Sequence, residues 1–538
     1  MQKNTERSML LQGTILAAAG MLTKVIGFLY RVPMANLLGN AGNGIYSVSY
    51  GIYNIALTLS SCSMPLAVSK LVSARIARDD EAGARRVFRD ALLFAALAGA
   101  LAAVLLFAGA DSLEALYHRP GLAKPLRILA PTTFVVALLG TFRGWFQGHG
   151  SMIPTAVSQI LEQIFNAFVS VIAAWQLTRI YASDPQVSAY GAAGGTLGTL
   201  AGAAVGLIVV GFWFFRTTAA RRPRITAPEE PHALILRQLI LTVIPVILSQ
   251  TIYQIGYTLD DFLFGNLMAL RGLADAAISA LQGVFNTQYN QLVNLPVAVA
   301  TALAASTIPG IVSASVSGSR REAHRKMTAV LKLNMAVAIP SAVGMAVLAR
   351  PIMHLLFPSL GELEDLAVRL LQTGSSAAVF YALSTVSTAI LQASDHMRIP
   401  VQHCAVSLGI HGLLVYLLLR FTPLGVYGLV IGNVSFPLLV SVLNCRSLSR
   451  LLRYRWKYAR MFGVPLTCAA GMGLCTWGSY RLAALVLPAW LGLVFSVILS
   501  VAVYGYLLLR LHCFADRQLL DLPMGSRLLA LSKRLEGR

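Results

Sequence analysis

Long apolar runs separated by short polar connections make up almost the whole chain. Fourteen of the runs are long enough to cross a bilayer, because a membrane-spanning helix needs about 20 apolar residues. The runs are 9–32, 45–72, 90–110, 125–147, 153–178, 189–215, 235–262, 279–312, 328–349, 366–393, 401–420, 426–445, 461–481 and 485–510. This pattern predicts an all-α polytopic membrane protein with fourteen transmembrane helices.

Composition agrees with this prediction. Of the 538 residues, 56% are hydrophobic and 12% are charged, and the mean hydropathy is +0.68. A soluble domain has about 25% charged residues. The net charge is +21, but the basic residues cluster in short loops between apolar runs, so nucleic acid is not an expected partner. The six cysteines form no CxxC pair and are interpreted as small apolar side chains in helices.

Basic residues occupy every second connection. They are concentrated in 75–89, 216–224, 320–326 and 446–457, whereas the alternate connections are poor in Lys and Arg and contain acids such as Asp111. Cytoplasmic loops of membrane proteins carry the excess of Lys and Arg. The pattern therefore predicts that both termini face the cytoplasm.

Four pairs of similar stretches recur in the same order along the chain. They pair 24–31 (KVIGFLYR) with 253–260 (YQIGYTLD), 64–76 with 295–307, 145–154 (WFQGHGSMIP) with 391–400 (LQASDHMRIP), and 189–196 with 426–433. Offsets of 229 to 246 residues indicate a duplication of six helices. Because six is even, the two copies share one orientation, as in transporters built from parallel repeats.

The duplication predicts the domain organisation. Residues 1–225 form an N-terminal six-helix bundle and residues 235–450 a C-terminal one, joined by a charged, proline-containing linker. Helices thirteen and fourteen, in 455–515, stand outside the repeat, and 516–538 form a cytoplasmic tail.

Two local features predict turns and helix packing and do not indicate a binding or catalytic role. The breaks WFQGHGSMIP and LQASDHMRIP are interpreted as turns between the fourth and fifth helices of each half, each with a proline starting the next helix. In the sixth run, four glycines are spaced four residues apart and let helix backbones approach closely. These glycines are Gly194, Gly198, Gly202 and Gly206.

Polar side chains inside the apolar runs are the candidates for function, because they are costly in hydrocarbon and usually face a cavity or a partner. Lys24 and Arg31 are seven residues apart and so share one face of the first helix. Each is also compatible with simple snorkelling to the membrane surface.

Three further helices carry polar stripes at helical spacing. The stripe residues are Gln159, Glu162, Gln163 and Asn166 in the fifth run, Gln250 and Gln254 in the seventh, and Asn286, Asn290 and Asn294 in the eighth. Hydrogen bonds that only hold helices together would explain any one stripe. Taken together, the three predict a hydrated substrate cavity between the two halves, to which Lys24 and Arg31 would contribute.

The alignment of the repeats places Arg31 at the position of Asp260. This predicts an outer gate in which Arg31 pairs with Asp260 and Asp261 across the pseudo-two-fold axis that relates the two copies. No metal or cofactor is expected, since His403 and His411 lie eight residues apart on one helix without a third ligand.

The chain resembles the multidrug/oligosaccharidyl-lipid/polysaccharide (MOP) flippase superfamily. Within it, the resemblance is to the polysaccharide biosynthesis branch, which includes stage V sporulation protein B and the MurJ-type lipid II flippases. It is carried by GTILAAAGMLTKVIGFLYRVPMANLLG (13–39), MPLAVSKLVSARI (64–76), RGWFQGHGSMIPTAVSQILEQIFN (143–166) and LVNLPVAVATALAASTIPGI (292–311).

This resemblance implies a V-shaped pair of bundles that works by alternating access in the bacterial cytoplasmic membrane. The implied cargo is a polyprenyl-pyrophosphate-linked glycan such as lipid II, moved from the inner to the outer leaflet. Members of the family keep basic residues in the first helix facing the cavity, a position that Lys24 matches. Membrane lipids and cell-wall synthesis proteins are the implied partners, and a monomer is expected.

Two other functions compete with this one. A cation-coupled multidrug exporter of the same superfamily would favour buried acids in each half, whereas the first half has only Glu162 deep in an apolar run. A membrane enzyme that polymerises or ligates lipid-linked glycans usually needs a large outer loop with catalytic residues, and no such loop separates the runs. Both patterns favour the flippase.

Overall fold

The computed structural model describes residues 2–61, 64–218, 230–316, 319–511 and 513–514, together with single residues at 526, 530 and 533. Within these residues the chain is helical and contains no strand. The predicted repeat boundary at residue 225 and nearly all of the predicted tail, 516–538, lie outside them.

Eighteen α-helices follow one another along the chain. They are α1 Gln2–Ser60, α2 Met64–Ile76, α3 Glu81–Ala108, α4 Ala110–Leu116, α5 Ala123–Gly148, α6 Ile153–Ile180, α7 Val187–Thr218, α8 His232–Leu270, α9 Asp275–Gly283, α10 Asn290–Val316, α11 Arg320–Val347, α12 Ala349–Leu356, α13 Glu364–Gly374, α14 Ala377–Ala393, α15 Arg398–Phe421, α16 Val426–Leu451, α17 Val464–Ala483 and α18 Ala489–Arg510. Three short turns of other helical types complete the set: Val284–Tyr289, Pro358–Leu363 and Ala459–Gly463.

Nine of the described helices are long and apolar enough to cross a membrane, and a bent pair that ends in α14 would make ten. The protein is therefore a multi-pass membrane protein, as its sequence predicts. The order of the helices is consistent with fourteen crossings, although that exact number stays a prediction.

A single glycine divides α1 into the first two predicted segments. Gly39 has φ 63° and ψ −178°, and the helix resumes immediately after it. Glycine adopts this region without steric penalty because it has no Cβ. The polar connection expected over residues 33–44 is therefore helical on both sides of one residue, because Gly39 alone departs from helical backbone angles and kinks the helix there.

The order of elements repeats along the chain. The long helix α3 is followed by the seven-residue α4 and then by α5, α6 and α7. The long helix α11 is followed by the eight-residue α12 and then, after α13, by α14, α15 and α16. This is the order that a duplication of six helices predicts.

Both histidine-containing breaks are helix-ending turns of one type. Each has a residue in the left-handed region just after the helix, Gly150 (φ 73°) or Asp395 (φ 64°). In each, the N–H of the following residue donates to a carbonyl five residues earlier at 3.0 Å. This is the pattern that satisfies the last carbonyls of a helix. The predicted turns are confirmed, and His149 packs on Trp145 with ring centroids 4.2 Å apart.

Contacts within the chain define two compact units, Met1–Thr287 and Gln288–Arg538. The first unit includes α8, because Ile235, Leu239 and Val243 are buried in the same core as α2, α3, α5 and α7. The core of the second unit joins α10, α11, α14 and α16 to α17 and α18. The predicted six-helix boundaries rest on the repeat in the sequence and stay a prediction.

Close packing of α6 on α7 depends on the glycines of α7. A Cβ at Gly198 would lie 2.1 Å from Oγ of Ser170 and 2.5 Å from the carbonyl oxygen of Asn166. A Cβ at Gly202 would lie 2.5 Å from the carbonyl oxygen of Glu162. The predicted close approach is confirmed, and it fixes the polar stripe of α6 against α7.

We expect Gly198→Ala to destabilise the protein, because the added methyl must separate α6 from α7. Overpacking of this kind costs about 1–3 kcal/mol. The matched control is Gly211→Ala on the same helix, where a Cβ meets nothing within 4 Å. The measurement is the thermal unfolding midpoint of both variants in detergent, and equal shifts would contradict the packing argument.

Candidate functional site

Two cations on α1 lie on the face of the helix that meets α6. Lys24 and Arg31 are both exposed in the protein. Gly27 lies between them on the same face. A Cβ at Gly27 would be 3.4 Å from Nε2 of Gln163, so the side chain of Gln163 covers α1 between the two cations.

A cluster of tyrosines surrounds Arg31. The phenols of Tyr30, Tyr46 and Tyr50 lie near its guanidinium, and Tyr30 is hydrogen bonded to it. The ring centroids of Tyr46 and Tyr50 are 4.7 Å apart, and those of Tyr50 and Tyr53 are 5.8 Å apart. Within the described part of the chain, neither Arg31 nor Lys24 forms an ion pair with a carboxylate.

The polar surface continues from these tyrosines to α6 and α7. The hydroxyl of Tyr50 shares a hydrogen bond with Oγ1 of Thr199 on α7. Tyr53 lies near Glu162 on α6. Neighbouring polar groups therefore link Arg31 to the stripe on α6 that the sequence predicts.

Glu162 is paired with an arginine that the sequence analysis missed. Nη2 of Arg143 on α5 lies 2.6 Å from Oε2 of Glu162, and the two side chains are 13% and 29% exposed. Nε of Arg143 also donates to Oγ of Ser158 at 3.0 Å. Arg143 interrupts an apolar run five residues before the end of α5. This isolated charge could have identified Arg143 from the sequence as a partner for Glu162. Glu162 is thus neutralised within the protein.

The other members of the α6 stripe differ in what they contact. Oγ of Ser170 lies 2.9 Å from Oδ1 of Asn166 and 2.8 Å from the carbonyl oxygen of Gly195 on α7, and the two acceptors share its one hydrogen. Asn166 therefore contributes to helix packing. Gln159 and Gln163 are half-buried, and their predicted role in binding stays a prediction.

The stripes of the seventh and eighth segments are only partly described. The side chain of Gln250 lies outside the described residues, and Gln254 is half-buried. In the second unit, Asn290 is buried and has an interaction partner within the protein, whereas Asn294 is exposed. Their predicted part in a substrate site stays a prediction.

The predicted gate acids lie in a buried polar network in the first unit. Oδ1 of Asp261 accepts a hydrogen bond from Nδ2 of Asn286 at 2.7 Å, and its carbonyl accepts one from Nε2 of Gln282 at 2.8 Å. Asp260 is buried and also engaged. Asn286, assigned by sequence to a stripe facing substrate, therefore helps to hold Asp261 in place.

Arg119 completes this network and was not expected from the sequence. It lies in the connection between α4 and α5, is 1% exposed, and donates through Nε and Nη2 to Oε1 of Gln282 at 3.0 and 2.7 Å. Burial lowers the pKa of Arg119 to about 10, while Asp261 and Asp275 act in the opposite direction. The predicted pairing of Arg31 with these acids stays a prediction.

Comparison with known proteins identifies the family. A family model described as "Polysaccharide biosynthesis protein" matches residues 10–315, more than half of the chain. The chain belongs to this family.

Three relatives from Bacillus subtilis (strain 168) match this chain over most of their length. The uncharacterized membrane protein YabM is 27% identical, covering 97% of this chain and 96% of the relative. Stage V sporulation protein B is 25% identical, covering 96% and 98%. Lipid II flippase MurJ is 26% identical, covering 73% and 74%.

Solved structures share the fold of this family member. Lipid II flippase MurJ in an inward closed conformation superposes with a TM-score of 0.67 at 12% identity, over 93% of this chain and 99% of that one. A multidrug resistance MATE family transporter of the MOP superfamily, in an inward-facing conformation, gives a TM-score of 0.65 at 16% identity, over 80% and 95%. At these identities the likeness establishes the fold alone.

We expect Arg143→Gln and Glu162→Gln each to destabilise the protein by about 2 kcal/mol or more, because each leaves an uncompensated charge. A fully buried pair would lose roughly 3–5 kcal/mol, and the 29% exposure of Glu162 lowers this figure. The double variant should recover much of the loss. The free energy of unfolding in detergent measures all three, and additive losses would argue against a direct pair.

Arg119→Met should cost about 2–3 kcal/mol, since it leaves the buried amide oxygen of Gln282 without its donor. Arg127→Gln is the control: Arg127 pairs with Asp111 at 2.6 Å, but the two side chains are 45% and 70% exposed. An exposed pair contributes roughly 0–1 kcal/mol. If chemical denaturation shows the two variants to be equally stable, the buried network does not support the fold.

Proposed function

We propose that the protein is a flippase that moves a polyprenyl-pyrophosphate-linked glycan from the inner to the outer leaflet of a bacterial cytoplasmic membrane by alternating access. Membership of the polysaccharide biosynthesis family supports a lipid-linked glycan as cargo. The name of one relative, lipid II flippase MurJ, supports lipid II or a related precursor. The proposal makes the protein a transporter that performs no chemical step on its cargo.

The observation that carries the proposal is the pair of cations on α1. Lys24 and Arg31 share one face of the helix and, among the described residues, neither has a carboxylate partner. Unpaired cations within an apolar helix require compensation by water or by a ligand. A pyrophosphate head group supplies the opposite charge, and a guanidinium binds phosphate oxygens in a bidentate manner.

The groups beside these cations suit the sugar part of such a cargo. Tyr46, Tyr50 and Tyr53 carry hydroxyls that donate and accept hydrogen bonds. Gln159 and Gln163 add amides, which also donate and accept. Together they offer exchangeable hydrogen bonds to sugar hydroxyls while the polyprenyl tail stays in hydrocarbon.

The contacts of Glu162 argue against the alternative of a cation-coupled drug exporter. An exporter of cations needs an acid that is available to the drug or to the coupling ion. Here the carboxylate of Glu162 is 2.6 Å from Nη2 of Arg143. The net charge contributed by the candidate site is therefore that of Lys24 and Arg31, which favours an anionic cargo.

The distribution of basic residues supports a proposed orientation of the protein in the membrane. The basic connections, which include 75–89 and 446–457, would face the cytoplasm together with both termini, according to the distribution of Lys and Arg in membrane proteins. In this orientation the ends of α5 and α6 near residue 150 lie at the inner surface.

Lys24→Ala and Arg31→Ala should each lower the rate of lipid II translocation at least about tenfold, because each removes a charge-assisted hydrogen bond to the pyrophosphate. Lys24→Arg should retain most of the activity. The measurement is loss of access of an impermeant reagent to labelled lipid II in reconstituted vesicles, supported by growth of a strain depleted of its lipid II flippase.

Arg179→Gln is the matched control for these variants. Arg179 is an exposed cation near the end of α6, and its guanidinium lies 4.3 Å from the ring centroid of Trp175. Its removal changes the charge of the same unit without touching the α1 face. Normal translocation by both alanine variants would refute the cation site, whereas loss of translocation in the control as well would point to a general effect of charge.

A further inference from the structure

A groove lies in the second unit, and none of its lining residues belongs to the candidate site on α1. Its volume is about 390 Å³, and it is lined by α14, by α16 and by the connection that leads from α16 to α17. Phe380 and Leu383 of α14 form one wall. The groove is partly open to the surface of the unit.

The wall that α16 contributes changes from apolar to cationic along its length. Leu438, Val442, Arg446 and Arg450 are spaced four residues apart and line the groove in that order. Twelve residues of helix extend roughly 18 Å. This is close to the hydrocarbon thickness of one leaflet, which is about 15 Å, half of a typical core.

Aromatic side chains border the cationic end of the groove. Nε1 of Trp456 donates to Oγ of Ser449 at 2.8 Å, which anchors the connection to α16. The ring of Trp456 stacks on Tyr458 at 6.1 Å between centroids, and Tyr458 stacks on Phe462 at 6.3 Å. Trp and Tyr are enriched at the level of lipid head groups, where one end of the side chain is apolar and the other is hydrated.

Positive charge is concentrated at the same end. The segment 446–460 contains Arg446, Arg450 and four further basic residues, and no acid. Neither Arg446 nor Arg450 pairs with a carboxylate among the residues that the structure describes. Basic pockets between transmembrane helices on the cytoplasmic side are typical binding sites for anionic lipid head groups.

We propose that this groove binds an anionic phospholipid of the inner leaflet. Its phosphate lies between Arg446 and Arg450, and one acyl chain follows α16 past Val442 and Leu438. The charge of the groove selects an anionic over a zwitterionic head group, and its apolar depth selects a lipid over a free phosphate. The site is separate from the cargo site proposed on α1, although it relies on the same orientation in the membrane.

Quenching of Trp456 by brominated lipids tests the proposal in the full-length protein. The protein is reconstituted in phosphatidylcholine vesicles that contain increasing fractions of phosphatidylglycerol with brominated acyl chains. The difference in fluorescence between the protein and its Trp456→Phe variant gives the signal of Trp456 alone. We expect saturable quenching at low fractions of brominated phosphatidylglycerol. Equal quenching by brominated phosphatidylcholine would overturn the selection for an anionic head group.

The double variant Arg446→Gln with Arg450→Gln should bind brominated phosphatidylglycerol about thirtyfold more weakly, roughly fivefold for each arginine. Its control is Arg320→Gln with Arg321→Gln, which removes the same charge from exposed positions in α11 of the same unit. Unchanged affinity in the first pair, or an equal loss in the control, would overturn the proposal.

A competition experiment distinguishes binding of a phospholipid in this groove from binding of the cargo. A polyprenyl pyrophosphate that relieves quenching of Trp456 as effectively as unlabelled phosphatidylglycerol would assign the groove to the cargo and overturn the proposal. Failure to relieve quenching supports a separate lipid site. Because lipid binding is measured without translocation, either result is independent of whether the flippase proposal succeeds.

Discussion

Charge inside hydrocarbon must be paired, hydrated or bound to a ligand, and this constraint organises the first unit. Arg143 and Glu162 satisfy it by pairing between α5 and α6. That pairing in turn depends on the close packing of α6 against α7, since the glycines of α7 fix the backbone of α6 at Glu162. A packing feature with no chemistry of its own therefore positions the polar groups of the candidate site.

The same constraint explains the buried network around Asp261. Arg119 is almost wholly buried, and it is tolerated because Gln282 accepts two of its hydrogen bonds while Asp261 lies close by. Gln282 donates in turn to the carbonyl of Asp261, so one amide satisfies groups from two directions. The network connects the segment between α4 and α5 to α8 and α9 within the first unit.

Features that depend on neighbours in sequence were predicted well. The helical, apolar character of the chain, the turns at Gly150 and Asp395 and the close approach at the glycines of α7 each depend on residues within a few positions, and the structure confirms them. The distant partners that the structure shows for Arg119 and Glu162 were not predicted. Arg119 and Gln282 are 163 residues apart, and no periodicity relates them. Glu162 was assigned to a cavity because the helical pattern places it on a polar face. The pattern does not show that Arg143 of another helix lies opposite Glu162.

This difference sharpens the interpretation of the polar stripe. A stripe on one helix indicates only that polar groups share a face. The neighbouring helices show that two of its members, Glu162 and Asn166, interact with other groups of the protein. The two cations of α1 are different, because the groups around Arg31 are phenols, which are neutral. Phenols hydrogen bond without cancelling charge, so an anion that enters this site meets a full positive charge. A binding site for a travelling anion needs this property, since a permanent carboxylate partner would compete with the cargo at each cycle.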